Sequence, residues 1–117
     1  RMVLDVLKEE GQEPKKVMND FREWVVDSTK DYLPIIAATP MKVDGMFITW
    51  YFDNFCKYED PFGYGGEDMN SVYHGKEKDR NVHMAELGLR PQSMPHHALQ
   101  DAIIQAKEFE AVLKGIR

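Results

Sequence analysis

The stretch "PHHALQDA", Pro95 to Ala102, places two histidines at the start of a helical pattern and an aspartate among Ala, Leu and Ile. His96 precedes Asp101 by five residues. An imidazole on the incoming loop and a carboxylate in the first helical turn can therefore converge at one helix N-terminus. A carboxylate there suits a hard cation such as Mg²⁺, which takes oxygen ligands and keeps several waters. An imidazole beside it can take a proton from water, as general-base catalysis requires. A plainer reading has Asp101 answering the helix dipole and His96 as a partly exposed residue ahead of the helix. Spacing alone leaves both open. A second carboxylate, Asp44, heads "DGMFITWYFDNF" and stands in the first turn of another amphipathic pattern.

The elements that must position these residues follow from periodicity and from the Gly and Pro punctuation. The last helix is expected over His97 to Lys114, with Leu99, Ala102, Ile103, Ala106, Phe109 and Leu113 as its apolar face and Asp101 on the rim. The pattern around Asp44 predicts a helix from Asp44 to Lys57. Phe47, Trp50, Tyr51 and Phe55 are its core positions and Phe52 faces outward. The same aromatics could instead include a base-stacking platform. "LPIIAAT", Leu33 to Thr39, reads as a buried strand punctuated by Pro34 and Pro40. Ahead of it, Met2 to Glu10 reads as a short helix stopped by Gly11. Pro14 to Thr29 reads as a longer one, burying Val17, Phe21, Trp24, Val25 and Ser28. "EDPFGYGGED" is a loop whose Asp68 caps "MNSVYHG", taken as a short strand or a single helical turn. A short helix at Val82 to Leu87, ended by Gly88, precedes the Pro-rich approach to His96.

At 117 residues the chain is one domain or part of one. Its net charge of -5 argues against binding nucleic acid by bulk electrostatics, though not against binding at a metal-filled site. Cys56 has no partner for an internal disulfide, and no apolar run reaches the length of a membrane span or a signal-peptide core. A reducing, cytoplasmic setting with no membrane contact is expected. His74, His83 and Cys56 lack the ligand spacing of small zinc modules. Lys76, Lys78 and Arg80 in "GKEKDR" form a solvated loop with the option of touching a phosphate backbone.

Three blocks in order carry a resemblance covering about Gly11 to Ile116. "PHHALQDAIIQAKEF" resembles the third motif of the DnaQ-like 3'-5' exonucleases of the DEDDh type, in which a His is followed after four residues by an Asp. "PIIAATPMKVDGMFITWYFDNF" and then "DPFGYGGEDMNSVYHG" are similar to the second motif and its continuation in the branch with the mycobacterial-type exoribonucleases. "EPKKVMNDFREWV" fits the helix before the central strand of that branch. The resemblance implies an α/β ribonuclease H-like fold and a single exonuclease domain, of which residues 1–117 are the C-terminal portion. It puts the general base on His96 and metal-binding, catalytic aspartates on Asp44 and Asp101. The implied reaction is two-metal hydrolysis, with Mg²⁺ or Mn²⁺, of phosphodiesters at the 3' end of RNA or single-stranded DNA. Many members are dimers, so a homodimer is among the implied assemblies.

The chain departs from the family in two places. Val43 stands where a Phe usually precedes the second-motif aspartate. The first motif, Asp-x-Glu, is absent, since Asp5 is followed at the required position by Leu7, and so are the first three strands of the sheet. The chain opens on Arg1, as a processed or truncated product would. With half of the acidic ligands, it is expected to be nearly inactive until the missing N-terminal segment is supplied by the full-length protein. The alternative function is a catalytically silent binding or assembly module that retains the scaffold.

Overall fold

The computed structural model describes residues 3–115, so Met2 and Ile116, at the ends of the expected first helix and of the resembling region, lie outside the described residues. The chain forms two compact units. One comprises residues up to Ile35 together with Met46–Gly65, and the other Ile36–Gly45 together with the chain from Gly66 onward.

In the first unit, α1 (Val3–Glu10) buries none of its side chains. It ends where the Gly11 amide donates to the Leu7 carbonyl at 2.9 Å. A Cβ at Gly11 would stand 2.3 Å from that oxygen, so only glycine makes this close turn. Next, α2 (Pro14–Ser28) opens on a proline that needs no amide partner in the first turn. It buries Met18 and Val25, while Val17, Trp24 and Ser28 of the expected stripe are exposed. The third helix, α3 (Met41–Phe55), starts ahead of Asp44 and contributes its residues from Met46 onward to this unit.

The aromatic side of α3 differs from the one periodicity indicates. Phe52, expected to face outward, is 2% exposed, whereas Phe47 and Trp50 are 54% and 52% exposed. Phe52 is enclosed because Phe21 of α2 stacks on it at 5.8 Å and Phe62 from the following loop meets it edge-on at 6.2 Å. Burying such a ring contributes about 2 kcal/mol. Asn19 fixes the end of α3, its side-chain oxygen accepting from the Lys57 amide at 3.2 Å.

The second unit contains the strands. Here β1 (Ala37–Ala38) pairs in parallel with β2 (Glu67–Asp68), in register Ala37 to Glu67 and Ala38 to Asp68. This is much shorter than the expected Leu33 to Thr39 strand. Only these two residues have a ladder partner, and Leu33 and Ile35 are exposed. Asp68 then starts α4 (Met69–Glu77), so "MNSVYHG" is a full helix. Met69 and Tyr73, one turn apart, enter a core with Val82, Met84 and Val112, against which Ala37, Val72, Leu87 and Phe109 pack. A 3₁₀ turn at Met84–Leu87 closes on Gly88 in the left-handed region, φ 72°.

The last helix, α5 (Ala98–Lys114), presents a different face to this core from the expected one. Leu99, Ile103 and Leu113 are 64%, 46% and 57% exposed. The inward stripe is Asp101, Ile104, Gln105, Glu108, Ala111 and Val112, at intervals of three and four, joined by Phe109, the member of the expected face that does pack against the core. Two carboxylates therefore lie along the packed side. The polar stripe is admitted because Arg90, on the approach to α5, neutralises one of them: its Nε and Nη2 donate to Glu108 Oε2 and Oε1 at 3.1 and 2.7 Å. No helix among the described residues is long and apolar enough to cross a membrane.

Candidate active site

The three residues singled out by the sequence, Asp44, His96 and Asp101, all belong to the second unit. His96 and Asp101 are brought to one helix end. Asp44 stands in the first turn of α3, exposed, its amide facing the Pro40 carbonyl at 3.5 Å.

At the start of α5 the backbone does the positioning. His96 takes a left-handed conformation, φ 56°, which an L-residue adopts at a cost. His97 follows in extended conformation as the N-cap. Its Nδ1 accepts from the Gln100 amide at 3.5 Å and its carbonyl accepts from the Asp101 amide at 2.8 Å. His97 is thereby committed to the helix end, while the exposed His96 is turned away from the helical path. Division of labour between the two histidines is set by backbone geometry.

Asp101 is half-buried, and its Oδ1 is a buried oxygen without a hydrogen-bond partner. Such an atom is costly, because desolvation is not repaid by a donor. A divalent cation is one group that repays it, and an oxygen free of protein donors fits a hard metal. Among the described residues, however, no three His, Cys, Asp or Glu side chains are grouped closely enough to hold a metal ion.

Three other titratable candidates, His74, His83 and Lys76, are occupied structurally. His74 Nε2 bonds the Val82 carbonyl at 2.8 Å. His83 Nδ1 accepts from the Ala85 amide at 3.1 Å, and its Nε2 lies 3.0 Å from the Asn70 amide nitrogen. Lys76 donates to the Leu113 carbonyl at 3.1 Å. A cavity of about 510 Å³ is lined by Tyr73, Leu87, Leu89, Lys107, Ala111 and Lys114 among others, and by none of the three candidate residues.

Sequence reasoning missed the reach of Asp68. It caps α4 as expected, Oδ1 accepting from the Ser71 amide at 3.0 Å and hydroxyl at 3.2 Å. Its Oδ2 also accepts from the Met41 amide, the first of α3, at 3.1 Å. Partial burial pushes the Asp68 pKa up, but the Met41 and Ser71 amides and the Ser71 hydroxyl outweigh it and hold the carboxyl below its ordinary value. The signal was present at Pro40, which precedes α3 and has no side-chain acceptor to cap it.

No family model and no solved structure matches the chain. Over 118 residues it is 29% identical to the 3'-5' DNA exonuclease Cap18 of Escherichia coli, a match covering 95% of this chain and 62% of that protein. The chain thus spans about 62% of the length of the curated relative it matches. This likeness supports an exonuclease family at most.

Proposed function

We propose that this chain is the C-terminal portion of a 3'-5' exonuclease with a ribonuclease H-like α/β fold, in the branch resembling the mycobacterial-type exoribonucleases. The observation that carries the reading is the buried, unpartnered Oδ1 of Asp101. It lies five residues after a histidine held in the left-handed region, in a chain similar to a DNA exonuclease. The substrate is the 3' end of a single strand, with DNA favoured over RNA because the similar protein is a DNA exonuclease.

Asp44 and Asp101 are the residues that would hold Mg²⁺ or Mn²⁺. When bound, such cations offset the charge that develops on a phosphodiester under attack and make water a better nucleophile. His96 takes the proton from the attacking water, which its exposed position at the helix end permits. His97, through its cap and its carbonyl, keeps Asp101 in the first helical turn. The exposed apolar side of α5, with Leu99, Ile103 and Leu113, is where the remainder of the sheet would lie. The setting is cytoplasmic, with a homodimer as one assembly.

A second reading, a catalytically silent binding or assembly module, is favoured by the lack of a three-residue metal cage among the described residues. Single-turnover digestion of 3'-labelled single-stranded DNA and RNA by the full-length protein separates the two. Trimming with Mg²⁺ or Mn²⁺, lost in EDTA and abolished by Asp44→Asn or Asp101→Asn, is expected. His96→Ala should slow it by roughly 10²- to 10⁴-fold. Equal degradation by wild type and Asp101→Asn would refute the assignment, and no trimming by wild type would favour the silent module.

A further inference from the structure

The start of α3 lacks a cap of its own. Pro40 carries no acceptor, and the Thr39 hydroxyl already accepts from Asn70 Nδ2 at 3.0 Å. The first amide of the helix, on Met41, would be an orphan donor at a helix N-terminus. It is satisfied by Asp68 Oδ2 at 3.1 Å, a residue 27 positions along the chain. Parallel pairing of Ala38 with Asp68 brings that carboxylate beside the turn into α3. The same carboxylate caps α4 through its other oxygen. One side chain therefore joins the starts of two helices, one of which carries Asp44 in its first turn. The Met41 side chain strengthens the join, since its Cε lies where a Cβ on Gly66 or Gly45 would stand, at 2.3 and 2.6 Å.

We infer that Asp68 is a positioning residue for Asp44: it anchors the first turn of α3 to β2 and so fixes the backbone from which the proposed metal ligand projects. This rests on the nuclease reading above. A capping aspartate needs only one oxygen, and Asp68 uses both, on donors from different elements. Residues that orient a metal ligand act through such bonds, and losing them costs about 10- to 100-fold in metal affinity or activity.

The test uses two variants that retain the α4 cap. Asp68→Asn keeps its oxygen on the two Ser71 donors and turns an amide nitrogen toward the Met41 amide. Asp68→Ser caps α4 but is too short to reach Met41. Hydrogen exchange of the Met41 to Asp44 amides and of Ser71 is measured in the full-length protein, alongside the Mn²⁺ concentration giving half-maximal 3'-end trimming. Faster exchange over Met41 to Asp44, retained protection at Ser71 and a Mn²⁺ requirement raised about tenfold or more support the proposal. Unchanged Met41 exchange in both variants overturns it, as does an unchanged Mn²⁺ requirement where that exchange is faster. Failure of the wild-type protein to trim with Mn²⁺ overturns the nuclease reading and the inference with it, whereas an active wild type with insensitive variants overturns the inference alone.

Discussion

Glu108 and Asp101 lie on the same inward stripe of α5, seven residues or two turns apart, and the protein treats them in opposite ways. Glu108 is fully buried and held by two bonds from Arg90. Asp101 is half-buried with one oxygen enclosed and unpartnered. A buried carboxylate whose role is structural is given a guanidinium with matching fork geometry. One that is left short of donors carries a desolvation cost that the described side chains do not offset, and the proposed function assigns that shortage of donors to a cation. The contrast separates a carboxylate held by the fold from one that the fold leaves short of donors, the one proposed above to hold a cation.

The largest effect should come from breaking the satisfied member. Arg90→Ala leaves Glu108 buried without its partner and is expected to destabilise the protein by about 3–5 kcal/mol, read from urea unfolding. Arg90→Lys should recover only part, since an ammonium cannot reproduce the bidentate contact. Loss of less than about 1 kcal/mol in Arg90→Ala would mean that Glu108 is not held as described.

A smaller effect is expected at Asp68, a satisfied carboxylate nearer the surface. Asp68→Ala should cost about 1 kcal/mol, as loss of an N-cap does. Because its pKa in the folded protein lies below the ordinary value, its contribution is complete above the ordinary carboxylate range and is lost as pH falls through the lower, folded value. The wild-type and Asp68→Ala stabilities should therefore converge on acidification below that range. A gap that stays constant would sink the account of the amide donors.

These contrasts also explain what was legible beforehand. The extents of α1, α2 and α5 and the Asp68 cap could be read because they depend on neighbours within a few residues, with Gly11 and Pro14 as boundary marks, whereas α3 starts three residues ahead of Asp44 and α4 is longer than the expected single turn. The inward face of α5 could not. Leu99, Ile103 and Leu113 look like core, and nothing local to Glu108 indicates that Arg90 will neutralise it and draw the polar stripe inward. Phe52 was misread for the same reason, since the rings that enclose it come from α2 and from the loop at Phe62. β1 shrank because pairing, unlike hydrophobicity, needs a partner, and only Ala37 and Ala38 find one. Of the candidate site, spacing and family likeness single out Asp44, His96 and Asp101 as expectations. The left-handed backbone at His96 and the orphaned oxygen of Asp101 were visible only in three dimensions.

The smallest expected change in stability is also the most informative. Asp101→Asn keeps the shape of the side chain and removes the charge that the protein leaves unpaired, so without metal the full-length variant should match or exceed wild type in thermal stability. Adding Mn²⁺ at about 100 times its dissociation constant should stabilise wild type by about 2.7 kcal/mol, with a higher unfolding midpoint. The same addition should leave Asp101→Asn nearly unmoved. The measurement is thermal unfolding of both proteins in EDTA and in Mn²⁺. An Asp101→Asn protein destabilised in EDTA as severely as Arg90→Ala, or one stabilised by Mn²⁺ as much as wild type, would contradict the claim that Asp101 is kept unpaired for a cation.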